Sequence, residues 1–337
     1  VLRRWGTSKA KKGHSLFMVK PGKIVFEEHF MTPCFAEYSK AFIGLIDADI
    51  ANTITRRLSD FGGERLEIMD AHGIERAIIS QTGPGVQGEV TVESAIARAR
   101  ESNDFLAENI APHPDRLSGF ASLPMQDPSA AADELERAVN RLGFKGALVN
   151  GHTHGTYYDA PQYDAFWARM QALDVPLYLH PTNAKVNPFS FADHPELLGA
   201  TWGWGVETAS HALRLLFGGV FDRFPDLKII LGHMGEGIPF LRWRFDSRFA
   251  VYHQGVKLDR KPSEYIGTNI VITTAGVCSH PTLMAAIGEM GPEAVMFSVD
   301  YPYESTEDAA WFIDTAPMDD ETRRLVCREN AVRLFKL

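Results

Sequence analysis

Short apolar runs rich in β-branched residues alternate along the chain with polar or Gly/Pro turns and with stretches of helical spacing. The runs fall near Ile24–Phe26, Ala77–Ser80, Leu117–Leu123, Ala147–Val149, Val175–Leu179, Leu227–Leu231, Ile270–Thr273 and Val295–Val299. They are continuous rather than alternating, the pattern of strands buried on both faces. Among the intervening stretches, Asp127–Leu142 opens on Asp-Pro and stops at Gly143, a start and a stop signal for a helix. Glu207–Phe221 and Glu321–Phe335 also carry helical spacing. Eight strands alternating with helices predict an α/β fold, a (β/α)8 TIM barrel, with a doubly wound open sheet as the runner-up. Thr32–Ser59 and Gly151–Tyr163 read as insertions on that barrel.

Composition narrows the function classes. The 337 residues carry 34 basic and 43 acidic side chains, a formal net charge of −9, which argues against nucleic acid or an anionic membrane as the main partner. No apolar run approaches the roughly 20 residues needed to cross a bilayer. The three cysteines, Cys34, Cys278 and Cys327, are scattered and odd in number. They indicate neither a disulfide framework nor a thiolate metal site, so a reducing, cytoplasmic compartment is expected. The first 23 residues depart from the rest, with seven basic residues and no acid. Residues 1–22 are expected to be a leader or tag outside the fold, with a transit peptide as the alternative, and 23–337 a single catalytic domain.

In a barrel of this kind, chemistry sits at the C-terminal ends of the strands. Glu27 and His29 lie at the end of the first run, two residues apart, so both side chains leave the same side of an extended chain. His180 ends the fifth run in Leu-Tyr-Leu-His-Pro, His233 follows the sixth in Leu-Gly-His-Met-Gly-Glu, and Asp300 follows the eighth in Ser-Val-Asp-Tyr-Pro. A single such residue is often a hydrogen-bonded core histidine or a helix cap. Five of them at the ends of four strands point to a divalent Zn, Mn or Fe centre, since imidazole and carboxylate without thiolate suit those ions. His152 and His154 follow the fourth strand and could touch substrate, whereas His211 reads as a helix residue facing solvent or a neighbouring subunit.

These residues, with Gly-Lys-Ile-Val-Phe-Glu-Glu-His-Phe (22–30), Leu-Pro-Met-Gln-Asp-Pro (123–128), Leu-Gly-Phe-Lys-Gly-Ala-Leu-Val-Asn (142–150), the stretch 221–236, Phe-Ser-Val-Asp-Tyr-Pro (297–302) and the terminal Leu-Phe-Lys-Leu (334–337), give the chain a recognisable likeness. It resembles the amidohydrolase superfamily, in the branch related to aminocarboxymuconate-semialdehyde decarboxylase. Within that branch it is most similar to the hydroxybenzoate decarboxylases, gamma-resorcylate (2,6-dihydroxybenzoate) decarboxylases first. Founding members of the superfamily carry His-x-His on strand one and often a carboxylated Lys on strand four. Here strand one reads Glu27-x-His29 and Ala147–Asn150 has no lysine, which suggests one metal ion rather than two.

The resemblance implies Glu27, His29, His180 and Asp300 as ligands of one divalent ion, Zn2+ or Mn2+. It implies Asp300 as the acid that protonates the ring carbon bearing the carboxylate, assisted by His233 and Glu236, and Arg244 facing the substrate carboxylate. The implied activity is a carboxy-lyase reaction, the non-oxidative decarboxylation of an ortho-hydroxybenzoate of the 2,6-dihydroxybenzoate, 2,3-dihydroxybenzoate, salicylate or 5-carboxyvanillate type, in aromatic catabolism. A metal-dependent hydrolase of a lactone or amide is the alternative. Candidate ring-binding residues are Phe30, Trp202, Trp204 and Tyr303. Gamma-resorcylate enzymes tend to have Phe where this chain has Tyr303, whereas relatives acting on 2,3-dihydroxybenzoate or carboxyvanillate tend to have Tyr. A phenol there could bond a second ring substituent, so the resemblance leaves the substrate open among these. A homotetramer or dimer is expected, with the aromatic stretch Phe245–Tyr252 suited to a buried interface.

Overall fold

The computed structural model describes residues 22–38, 44 and 46–337. The stretch 1–22, expected to be a leader or tag, therefore lies outside the described residues, apart from Gly22. Eight parallel strands follow one another around a barrel: β1 (Lys23–Phe30), β2 (Ile74–Gln81), β3 (Leu117–Gly119), β4 (Ala147–Asn150), β5 (Leu177–His180), β6 (Ile229–Leu231), β7 (Ile270–Thr273) and β8 (Val295–Met296). Regular ladders join β1 to β2 to β3, and β4 through to β8. Two parallel bridges close the ring, Ala121 to Ala147 between β3 and β4, and Glu28 to Tyr301 between β8 and β1.

The barrel interior is apolar at its lower end. Ile24, Phe26, Ile78, Phe120, Leu148, Tyr178, Ile230, Val271 and Met296 form one buried cluster. The C-terminal helix Asn330–Phe335 plugs that end with Phe335, whose ring lies 4.9 Å from Phe26 and 5.6 Å from Phe120. Full burial of one such side chain contributes roughly 1.5–3 kcal/mol. A second, larger core fills the layer between strands and outer helices.

Local signals explain the helix ends. Asp127 accepts from the amides of Ser129 and Ala130, Pro128 opens the helix Pro128–Leu142, and Gly143 at φ 74° ends it in the left-handed region. The helix expected at Glu207–Phe221 instead runs Gly203–Phe217, and a short turn Val220–Arg223 follows Gly219, whose φ is 70°. Glu321–Phe335 contains one π turn, Leu325–Glu329, between its helical segments. The insertion after β1 holds the helix Ala48–Leu58. No helix among the described residues is long and apolar enough to cross a membrane.

Candidate metal centre and proton-transfer site

Strand β1 does not keep one side-chain alternation along its length. Its pairing with β2 slips between Val25 and Glu28, a bulge. Ile24 and Phe26 belong to the barrel interior, Val25 and Phe30 to the outer core. Past the bulge the inward positions are Glu27 and His29. Both are fully buried, beneath the mouth of the barrel.

Glu27, His29, His180 and Asp300 each offer one ligand atom, and these atoms lie within 4.8 Å of one another. His29 Nε2 is 3.2 Å from Asp300 Oδ1, and His180 Nε2 is 3.7 Å from Glu27 Oε1. The far side of each imidazole is anchored. Ser80 Oγ lies 3.2 Å from His29 Nδ1 and donates to the Glu28 carbonyl, so it accepts the Nδ1 proton. The Pro181 carbonyl, 3.2 Å away, does the same for His180. Both Nε2 lone pairs then face the carboxylates, the tautomer a metal ligand needs. Glu27 Oε1, His29 Nε2 and Asp300 Oδ1 are buried without a hydrogen-bond partner. Several converging acceptors with no donor among them are satisfied by a cation, so the donor set fits a divalent ion.

The charge balance agrees. Burial pushes the Glu27 carboxyl up, with nearby His233 opposing and Asp300 adding to the rise. Burial, reinforced by His29, drives His180 down to about 3, so it is neutral at pH 7. Burial pushes Asp300 up, but the hydrogen bond from neighbouring His233 leads the opposing effects, and the net direction is below the usual carboxylate range.

His233 sits in an unusual turn after β6. His233, Met234, Gly235, Glu236 and Gly237 all have positive φ, at 47°, 57°, 74°, 52° and 80°. Each non-glycine residue there costs about 1–2 kcal/mol of backbone strain, which marks a site that the surrounding structure enforces. The turn brings His233 Nδ1 to 2.7 Å from Glu236 Oε1, and His233 Nε2 to 3.7 Å from both Glu27 Oε1 and Asp300 Oδ2. Burial disfavours the imidazolium, but Glu27, Asp300 and Glu236 outweigh it and raise His233 well above its ordinary value.

The other expected positions divide. Tyr303 lies beside the cluster, its ring 5.7 Å from that of His29 and its hydroxyl 2.6 Å from Thr82 Oγ1. Phe30 does not face the site. It leaves the strand opposite His29 and packs at 5.6 Å from Phe61 and 6.2 Å from Phe105, because neighbouring residues on a strand point to opposite sides. Trp202 is 57% exposed at the start of a helix, and Trp204 bonds Asn183. Arg244 is exposed on the helix Arg242–Phe249, with no hydrogen bond or ion pair to the cluster among the described residues. His154 bonds the Glu89 carbonyl and His152 accepts from the Gly155 amide. His211, expected at the surface, is 1% exposed and accepts from the Tyr158 amide.

Sequence reasoning missed Tyr178, whose hydroxyl donates to Glu27 Oε2, with Thr273 Oγ1 3.3 Å from the same oxygen. The available signal was a phenol inside a buried strand, two residues before a ligand, since a buried Tyr hydroxyl needs a partner. Arg65 was also missed: it donates to the His29 carbonyl at 2.6 Å and stacks on Tyr301.

A closed parallel barrel with carboxylate and imidazole ligands at its C-terminal mouth defines a metal-dependent amidohydrolase-type protein. The sequence profile described as Amidohydrolase matches residues 29–337, and the chain belongs to that family. It is 45% identical over 329 residues to a gamma-resorcylate decarboxylase of Rhizobium sp. strain MTP-10005, covering 94% of this chain and 98% of that protein. Among solved structures it is similar to a dihydroxybenzoic acid decarboxylase of Polaromonas sp. JS666 with bound manganese and the inhibitor 2-nitroresorcinol (TM-score 0.89, 44% identity, 94% and 97% covered). It is also similar to 5-carboxyvanillate decarboxylase of Sphingomonas paucimobilis (TM-score 0.86, 37% identity, 94% and 99% covered).

Proposed function

We propose that this protein is a metal-dependent, non-oxidative decarboxylase of an ortho-hydroxybenzoate, a carboxy-lyase of the dihydroxybenzoate type. One observation carries the reading: four ligand atoms from β1, β5 and the segment after β8 meet within 4.8 Å, with His233 Nε2 3.7 Å from both Glu27 Oε1 and Asp300 Oδ2. The names of the relatives support the same chemistry. Glu27, His29, His180 and Asp300 would hold the ion, and two oxygen and two nitrogen donors accept Mn2+ or Zn2+. When bound, such an ion supplies Lewis acidity and a template for oxygen atoms of the substrate.

The chain's own groups then handle the proton. Asp300 starts as a carboxylate, takes a proton from the substrate phenol as it binds, and delivers it to the ring carbon that carries the carboxylate. The C–C bond breaks, carbon dioxide leaves and the ring regains aromaticity with a hydrogen in its place. His233, oriented by Glu236, holds a positive charge near the departing carboxylate. Tyr303 and Thr82 border the ring on the His29 side.

Arg244, assigned to the substrate carboxylate, lies on a helix whose Trp243 is 77% exposed, followed by Val251 and Tyr252, each 73% exposed. These exposed apolar side chains support a homo-oligomer that would bury them, measurable by analytical ultracentrifugation. A cytoplasmic location fits three cysteines that form no disulfide.

The test is a panel of hydroxybenzoates with enzyme reconstituted in Mn2+ or Zn2+, run in deuterated water. Evolved carbon dioxide with one ring deuterium per turnover supports the reading. Hydrolysis of a lactone or amide panel, with no decarboxylation, overturns it.

A further inference from the structure

We propose that Ser298 is a positioning residue that selects Glu27, rather than its neighbour Glu28, as the carboxylate presented to the metal site. The inference rests on the reading that Glu27, His29, His180 and Asp300 hold a divalent ion. The chain offers two adjacent carboxylates before His29. In a regular strand with Ile24 and Phe26 inward, the next inward residues are Glu28 and Phe30. Glu27 and His29 would then face the outer layer. The bulge between Val25 and Glu28 reverses this.

Ser298 holds that bulge. The amides of Phe26 and Glu27 both donate to Ser298 Oγ, at 2.9 and 2.7 Å. Successive amides of a regular strand point to opposite sides, so their convergence on one oxygen belongs to the bulged form. The hydroxyl proton goes to Glu28 Oε1 at 3.2 Å, and the same oxygen accepts from the Val299 amide at 3.2 Å. Ser298 thus uses both lone pairs and its proton, the full capacity of a hydroxyl. Its own backbone is tied to Thr274, whose hydroxyl accepts from Ser298 N and donates to Ser298 O, each at 3.2 Å. Two residues on, the Asp300 amide donates to the Glu27 carbonyl at 2.9 Å. One hydroxyl therefore turns Glu28 aside, aims Glu27 and His29 inward, and fixes their strand against the segment carrying Asp300. Without it, two buried amides lose their acceptor, and the ladder favours the regular alternation.

The experiment measures Mn2+ and Zn2+ affinity of the metal-stripped full chain by competition with a chromogenic chelator, beside thermal unfolding. Ser298→Ala is expected to weaken both ions at least tenfold. Ser298→Thr, which keeps the hydroxyl, should stay within threefold of wild type. Glu28→Gln should keep the ions, because its amide oxygen still accepts, whereas Glu27→Gln should lose them. If Ser298→Ala does not fold, Ser298→Cys, similar in size but a weak acceptor, takes its place with the same expected loss. Wild-type affinity in the alanine or cysteine variant, or equal loss in the Glu28 and Glu27 variants, overturns the clamp. Wild-type protein that takes up neither ion overturns the site reading beneath it.

Discussion

His233 Nδ1 lies 2.7 Å from Glu236 Oε1, and the opposite nitrogen of the same ring lies 3.7 Å from Asp300 Oδ2. One imidazole thus links an orienting carboxylate to the acid assigned to the ring carbon, and a left-handed turn makes the link possible. Glu236→Gln keeps an acceptor but removes the charge that helps hold the imidazolium. Losing the charged part of such a bond, about 1.5–3 kcal/mol, predicts a fall in kcat of roughly 10- to 100-fold with metal content unchanged. Steady-state kinetics beside metal analysis of the same sample checks this.

Asp300 is read as both ligand and acid, and the two roles separate by substitution. Asp300→Asn retains an oxygen donor and loses the transferable proton. Turnover should drop about 10²- to 10⁴-fold, the usual worth of a positioned acid, while part of the metal remains. His180→Ala should instead empty the site, and chelator dialysis of wild type should abolish activity until Mn2+ or Zn2+ is restored. Metal content that stays full in His180→Ala would remove that residue from the ligand set.

Gly232, at the end of β6, leaves room for a ligand rather than supplying one. A Cβ there would stand 2.6 Å from Glu27 Oε2 and 2.8 Å from Oε1. Gly232→Ala must displace that carboxylate, and overpacking of this kind costs about 1–3 kcal/mol. Weaker metal binding and a lower Tm are expected together; a Tm loss with metal affinity intact would show that Glu27 can move aside freely.

Tyr303 and Thr82 share a 2.6 Å hydrogen bond next to His29. Tyr303→Phe leaves the Thr82 hydroxyl without this partner. It should lower kcat/KM most for substrates with a second polar substituent next to the phenol, such as 2,3-dihydroxybenzoate, by about 1–3 kcal/mol of discrimination, and least for salicylate. Ratios of kcat/KM across a substrate panel decide it, and uniform loss on every substrate would count against a specificity role.

His211 makes one acid-stability contribution legible. Burial, with His152 and Arg214 nearby, lowers it to about 3 in the fold, against an ordinary 6.5. Between those values the unfolded chain binds one more proton than the folded one, so stability falls as pH drops below 6.5. The slope from this site is about 1.4 kcal/mol per pH unit. His211→Gln should flatten the acid limb of a denaturation-against-pH series by up to one proton; an unchanged slope would mean His211 titrates normally.

The sequence by itself determined the repeating strand-and-helix order, the helix signals at Asp127 and Gly143, and the ligand types at the strand ends. These are local properties: an apolar run wants burial on both faces, an Asp side chain can reach amides two and three residues on, and Gly alone takes a left-handed stop without strain. Tertiary structure decided the rest. The i, i+2 rule correctly put Glu27 and His29 on one side, but which side depends on a bulge held by a hydroxyl 271 residues away. The same parity sends Phe30 into the outer core, and packing buries His211 inside a helix that reads as amphipathic. Tyr178 looked like core because its ring is core, and only the closed barrel brings its hydroxyl to Glu27. Contacts between distant segments carry no signature in either segment, so the chain spells out which side chains are available and the closed barrel settles where they point.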